Sequence, residues 1–147
     1  MDVAVQHGNW GQAVEKNGDR VTQGCEHTWV VDLPWPPREL NPNARQHWAS
    51  AARARKAYRA RCRAIATEAG GRVLAGVSGR LRVHLAFFPP DKRPRDWDNL
   101  VASMKSGLDG VADATGVDDS RWTLSLELHG PVPGGQVLVT VTTKAPA

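Results

Sequence analysis

Two pairs of aspartates, Asp96 with Asp98 and Asp118 with Asp119, flank one stretch of helical pattern, DWDNLVASMKSGLDGVADATGVDDS. Where the backbone is locally extended, residues i and i+2 point to the same side, so Asp96 and Asp98 are predicted to converge. Two converging carboxylates repel each other and raise one pKa unless a cation lies between them. Mg²⁺ suits such a pair: it takes oxygen ligands at about 2.0–2.1 Å, commonly one or two carboxylates together with phosphate and water. A calcium loop read from Asp96 fails, because its fifth position is Leu100 and no glycine stands at the sixth. On local grounds alone, Asp96-Trp97-Asp98 also reads as a helix cap. Val117-Asp118-Asp119-Ser120 likewise reads as a turn.

Asp98, Ala102, Lys105 and Asp109 fall in one narrow band of the predicted helix, opposite its apolar stripe. Lys105 stands two turns beyond Asp98, roughly 10 Å along the axis. Its ammonium can reach back to stabilise a phosphorane-like transition state, or pair with Asp109 at i+4 for about 0.3–0.5 kcal/mol.

The elements that carry these residues follow from periodicity. Thr28–Leu33 reads as a strand, ended by Pro34–Pro37, with the loop RELNPNARQHW after it. An alanine-rich helix is predicted from His47 to Ala69, its apolar stripe Ala51, Ala54, Tyr58, Cys62 and Ile65. Gly70 and Gly71 stop it. Arg80–Phe88 alternates as a half-buried strand, and the proline-rich loop Pro89–Arg95 leads to a second helix over Asp98–Val111. Its apolar residues are Leu100, Val101, Met104, Leu108 and Val111. Trp122–Leu128 and Gln136–Thr143 read as two alternating strands joined as a hairpin across HGPVPGG. The expected fold is α+β: a small mixed sheet with two helices packed on it, in the order β-α-β-α-β-β. Residues 1–27 are polar and glycine-rich and read as a flexible extension before a domain over 28–147.

Composition narrows the partners. The 147 residues carry 41% hydrophobic and 23% charged side chains, with a net charge of +4, an ordinary globular balance. The basic residues cluster: Arg38, Arg45, Arg53, Arg55, Lys56, Arg59, Arg61 and Arg63 stand against a single acid, Glu39. Such a run points to a polyanionic partner, with a solvated basic helix as the bland alternative. Cys25 and Cys62 form no CxxC and no cluster with histidine, which argues against a zinc site and fits a reducing compartment. No membrane span and no signal-peptide pattern are read, so the expected location is cytoplasmic.

The succession PWPP, LNPN, a basic loop, D-x-D-N-L, a helix with Lys and Asp-Gly, and V-D-D-S resembles the RusA family of Holliday-junction resolvases (crossover junction endodeoxyribonucleases), common in phages and prophages. The likeness covers about residues 28–143. It implies a RusA-like nuclease domain: a homodimeric, Mg²⁺-dependent hydrolase, with Mn²⁺ as an alternative ion, that nicks four-way junction DNA in recombination and repair. It further implies that Asp96, Asp98 and Asp119 are the essential carboxylates and metal ligands, with Asp118 close enough to exchange roles. Some members place a catalytic lysine four residues after the second Asp, where this chain has Ala102. Others, like this one, place it seven after, at Lys105.

On this reading Arg55, Lys56, Arg59 and Arg63, with Lys92, Arg93 and Arg95, grip phosphates, which positions DNA without reading its sequence. Trp97 reads as a core aromatic, with stacking on an exposed base as the alternative. His47 and His84 are expected in packing or surface roles rather than as a base. Competing readings are a metal nuclease for another branched DNA, a non-catalytic branched-DNA-binding module, and a protein-interaction domain with a basic docking helix.

Overall fold

In the computed structural model, residues 27–45 and 47–143 are described; Cys25 and most of the 1–27 extension lie outside them. Strand β1 (Thr28–Pro34) alternates buried Trp29, Val31 and Leu33 with partly exposed residues, the period-2 pattern of a strand with one face on the core. Helix α1 (Trp48–Glu68) follows, and His47 caps it by accepting the Ala49 N–H at Nδ1. Tyr58, Cys62 and Ala66, each one turn on from the last, are its fully buried residues. The Tyr58 hydroxyl donates to the Pro34 carbonyl at 2.7 Å, tying the helix to the end of β1. Gly70, at φ 79°, adopts the left-handed conformation that ends the segment.

Strand β2 (Leu81–Phe88) leads through the proline loop to α2 (Trp97–Thr115). The helix runs a turn longer than the apolar stripe predicts. Ala112, Asp113 and Ala114 prolong it, and it stops only where Gly116 takes φ 72° and returns its N–H to the Ala112 carbonyl. Its buried face is also wider, taking in Ser103, Ser106, Gly107 and Gly110 beside Leu100, Met104, Leu108 and Val111. The glycines have a packing cause. A Cβ on Gly110 would collide with the Arg59 carbonyl oxygen, and one on Gly107 would sit 2.6 Å from the Tyr58 ring. The two helices therefore approach backbone to backbone at Gly110 and backbone to ring at Gly107, closer than any larger residue allows.

Strands β3 (Trp122–Leu128) and β4 (Gln136–Thr143) complete a four-stranded sheet in the order β1-β4-β2-β3. The expected β3–β4 hairpin does not form. β4 lies antiparallel between β1 and β2, with Val139 opposite both Val31 and Leu85, while β3 runs parallel to β2 at the edge. The connecting segment is drawn over the end of β2 instead: the His129 N–H bonds the Phe87 carbonyl and the Val132 N–H bonds the Pro89 carbonyl. The physical preference is burial, since Val137, Val139 and Val141 are at most 2% exposed in the central position. β2, α2 and β3 thus make a βαβ unit. β3 also departs from the expected half-buried pattern, for only Trp122 is buried.

The α+β class and mixed sheet stand as expected, with both main helices sharing one core with the sheet residues Trp29, Val83, Leu85 and Val139. Among the described residues, no helix is long and apolar enough to cross a membrane. Cys62 is a buried free thiol whose pKa burial pushes up to about 11, so it is inert as a nucleophile.

Candidate functional site

The site grows from the exposed face of α2. Asp96 occupies the helix N-cap in extended conformation (φ −85°, ψ 133°), yet its carboxylate accepts no capping hydrogen bond. The helix begins at Trp97, so Asp98 already lies in the first turn and the predicted extended i, i+2 geometry does not hold. Asp98 is exposed and accepts the Asn99 N–H at 2.9 Å. A carboxylate at Asp98 is favoured there, since the first turn carries the positive end of the helix dipole.

Two turns along the same face, the Lys105 ammonium donates to Asp109 Oδ1 at 2.8 Å and to Asp119 Oδ2 at 2.6 Å. The sequence alternatives for Lys105 were a surface i+4 pair or a place at the site; its ammonium makes the i+4 contact and also binds the distant acid. The hydrogen bonds it donates to Asp109 and then to Asp119 hold the Lys105 pKa above its ordinary 10.5.

The adjacent acids Asp118 and Asp119 take different tasks. Asp118 accepts the Ser120 N–H at 2.8 Å and caps the short 3₁₀ helix Asp119–Arg121. The Ser120 hydroxyl, and after it that N–H, draw the Asp118 pKa below the usual carboxylate range. Asp119, released from capping, turns to Lys105. Among the described residues, no three His, Cys, Asp or Glu side chains are grouped to hold a metal ion. Mg²⁺ needs only one or two carboxylates and fills its shell with water and phosphate, so Asp96, which accepts no capping hydrogen bond, and Asp98 would be the residues to hold it at the helix start. Asp119 is held by Lys105 instead.

A groove of about 310 Å³ opens beside Lys105, lined in part by Asn41, Pro42, Arg55, Ala102, Ser106 and Asp109. It brings the Asn-Pro-Asn loop, to which sequence reasoning assigned no chemistry, against the lysine face. Ser106 Oγ, buried in the same region, has no hydrogen-bond partner among the described residues. No spacing rule marks Asn41 or Ser106 in advance; only the packing of the loop on α2 exposes them.

The expected phosphate-gripping residues divide in two. Arg55, Lys56, Arg63, Lys92 and Arg93 are exposed. Arg59 is exposed but bound to Asp113 through Nε at 2.8 Å and a second nitrogen at 3.0 Å. Arg95 is turned inward: it bonds Asp91 Oδ1 at 2.9 Å and two loop carbonyls, and stacks over Trp35 at 5.4 Å. Trp97 corrects the core-aromatic reading outright, standing 71% exposed at the start of α2. His47 caps α1, and His84 bonds Ser125 and Glu127 on the sheet surface.

Fold and site together define an α+β domain with a mixed four-stranded sheet and an acid-lysine face on its second helix. No family model matches the chain. A protein of Xylella fastidiosa (strain Temecula1 / ATCC 700964), described as an uncharacterized protein, is 38% identical over 121 residues, covering 81% of this chain and 79% of the relative. The chain belongs to the same family as that protein.

Proposed function

We propose that this protein is a Mg²⁺-dependent, structure-specific endonuclease that resolves Holliday junctions by paired phosphodiester hydrolysis in DNA recombination and repair, acting in the cytoplasm as a homodimer. The observation that carries the reading is the Lys105–Asp119 contact at 2.6 Å, which joins the V-D-D-S segment to the helix opened by Asp96 and Asp98. The resemblance to RusA resolvases names these same residues. A bound Mg²⁺ supplies an acidified water and charge stabilisation of the leaving oxygen.

The chain's own residues do the rest. Asp96 and Asp98 hold the ion at the helix start, where Asp96 is free of capping duty. The Lys105 ammonium has three N–H donors, two of them used by Asp109 and Asp119, so one remains for a phosphate oxygen. Its raised pKa keeps it charged. Arg55, beside the groove, and Lys56 and Arg63 on α1 bind flanking phosphates, and exposed Trp97 stacks on a base or sugar at the crossover.

A second reading, a branched-DNA-binding module without cleavage, is favoured by one observation: among the described residues no three His, Cys, Asp or Glu side chains are grouped to hold a metal ion. A labelled synthetic four-way junction with Mg²⁺ separates the two. Symmetric paired nicks on the junction but not on linear duplex, lost in Asp98→Asn while binding survives, are expected. Junction binding by the wild type with no Mg²⁺-dependent cleavage would establish the module instead.

A further inference from the structure

The groove beside Lys105 holds more chemistry than hydrolysis at Asp96 and Asp98 uses. Its volume, about 310 Å³, lies at the small end of ligand clefts, which run from about 300 to 1,000 Å³. That is room for one ring system, not for a duplex. Leu40, Pro42, Ala51 and Ala102 give it apolar walls, and no aromatic ring lines it. Ser106 is the one buried residue of the lining and so forms the floor. Its Oγ is buried and has no hydrogen-bond partner among the described residues. Other helical hydroxyls satisfy themselves on the preceding turn: Ser103 donates to the Asn99 carbonyl at 2.8 Å and Thr67 to the Arg63 carbonyl at 2.7 Å. Ser106 makes no such bond, and a buried hydroxyl left unpaired is costly. At the rim, Asn41 Oδ1 accepts the Asn43 N–H at 2.9 Å, which leaves the Asn41 amide NH₂ to donate outward.

We propose that this groove receives one base extruded from the branch point of the junction, while Lys105 and Arg55 hold the phosphates on either side of it. The inference rests on the junction-binding reading above and says where one nucleotide of the strand goes. Charge selects the occupant. Arg55 and Lys105 bring one cation from each helix, but Glu39 and Asp109 also line the groove. Lys105 neutralises Asp109, whereas a phosphate seated inside would still face Glu39. An uncharged ring with a polar edge meets no such repulsion. The apolar walls cover its two faces, and the Ser106 hydroxyl and Asn41 amide meet its edge. Ala102 lies one turn, about 6 Å, beyond Asp98 on the helix, so the base in the groove belongs to a nucleotide close to the one cut. Extrusion costs least for a base that is already unpaired or poorly stacked, as at the open centre of a four-way junction. A linear duplex offers no such base, so the groove gives the site a physical means of telling the two apart.

The test places 2-aminopurine, dark when stacked and bright when extruded, singly at successive positions around the branch point of a synthetic junction. The full chain is bound in Ca²⁺, so that fluorescence is read apart from Mg²⁺-dependent cleavage. One position should brighten several-fold in the junction, and none in a linear duplex of the same sequence. A base stacked on Trp97 stays dark, because only the groove lacks aromatic rings. Ala102→Leu, at an exposed helical position, fills the groove and should abolish the rise with the circular dichroism spectrum unchanged. Should that variant fail to fold, Ser106→Ala decides the matter. It should lower the extruded-to-stacked ratio about 2- to 10-fold, one hydrogen bond, with Tm unchanged or higher. A junction that binds without any bright position overturns the proposal. A rise that survives Ala102→Leu and Ser106→Ala puts the base elsewhere and also overturns it. Paired nicks in Mg²⁺ with no bright position leave the nuclease and remove the groove. A bright position lost in these variants, without cleavage by the wild type, keeps the groove and removes the nuclease. Failure to bind the junction removes both.

Discussion

The Lys105 ammonium sits between Asp109 Oδ1 at 2.8 Å and Asp119 Oδ2 at 2.6 Å, one carboxylate four residues away and the other fourteen. The lysine side chain is 62% exposed, and exposed ion pairs contribute at most about 1 kcal/mol. Lys105→Met should therefore change stability by less than about 1 kcal/mol in a denaturant titration. Cleavage should fall far more, about 10²–10³-fold in kcat, the usual loss when a charged group aimed at a transition state is removed. Equal losses of binding and cleavage would reduce Lys105 to a phosphate anchor.

Trp97 gives an independent check on the DNA surface. Because the ring is 71% exposed, Trp97→Ala should leave stability within about 0.5 kcal/mol. Stacking on a base is worth about 1–3 kcal/mol, so junction affinity in a fluorescence anisotropy titration should drop roughly 5- to 150-fold. Unchanged affinity would remove Trp97 from the interface.

The close approach of α1 and α2 makes Gly110 the least replaceable position on the helix. An added methyl would meet the Arg59 carbonyl oxygen and lie 2.9 Å from the Arg63 nitrogen, both backbone atoms. Gly110→Ala should cost about 1–3 kcal/mol, as overpacking does. That corresponds to a fall in Tm of roughly 2–12 °C for a domain of this size. The gain in helix propensity, about 1 kcal/mol, is too small to reverse the sign.

Stability should be level across neutral pH and fall on both sides. The Lys105 pKa is raised in the folded state by Asp109 and Asp119. Its contribution is complete below the unfolded value near 10.5 and is lost as pH rises through the folded one. Asp113, hydrogen-bonded by Arg59, and Asp118, hydrogen-bonded by Ser120, are lowered. Their contributions are complete above the ordinary 3.8 and are lost as pH falls through the folded values. Thermal melts against pH should show Lys105→Met flattening the alkaline limb and Asp113→Asn the acid limb.

Exposed and inward-turned arginines should separate in a salt titration. Arg55 lines the groove by Lys105 and is exposed. Its replacement by alanine should reduce the log–log salt slope of junction binding by about 0.9, one phosphate contact. Arg95 is held by Asp91 and Trp35, with a side chain only 18% exposed. Arg95→Ala should leave the slope unchanged and lower Tm through the loop that leads to Asp96.

Local pattern alone determined the elements. Ala-rich periodicity marks α1, alternation marks β1, β2 and β4, and Gly70 marks where α1 stops, whereas α2 runs on past Val111 to Gly116. The band that sets Lys105 beside Asp109 was likewise legible, because helical angle is a local quantity. The convergence expected of Asp96 and Asp98 did not hold, because the helix already begins at Trp97. Tertiary structure decided what those quantities leave open. Whether β4 pairs with β3 or inserts beside β2 depends on which arrangement buries Val137, Val139 and Val141, a competition that turn sequence does not express. The assignment of Asp118 to a cap and Asp119 to Lys105 depends on the angle at which the 3₁₀ turn meets α2. Trp97 looks like core by residue type and is exposed because of where the helix starts. The leucines of β3 have the alternation of a buried strand, and only the extent of the two helices above the sheet leaves them uncovered.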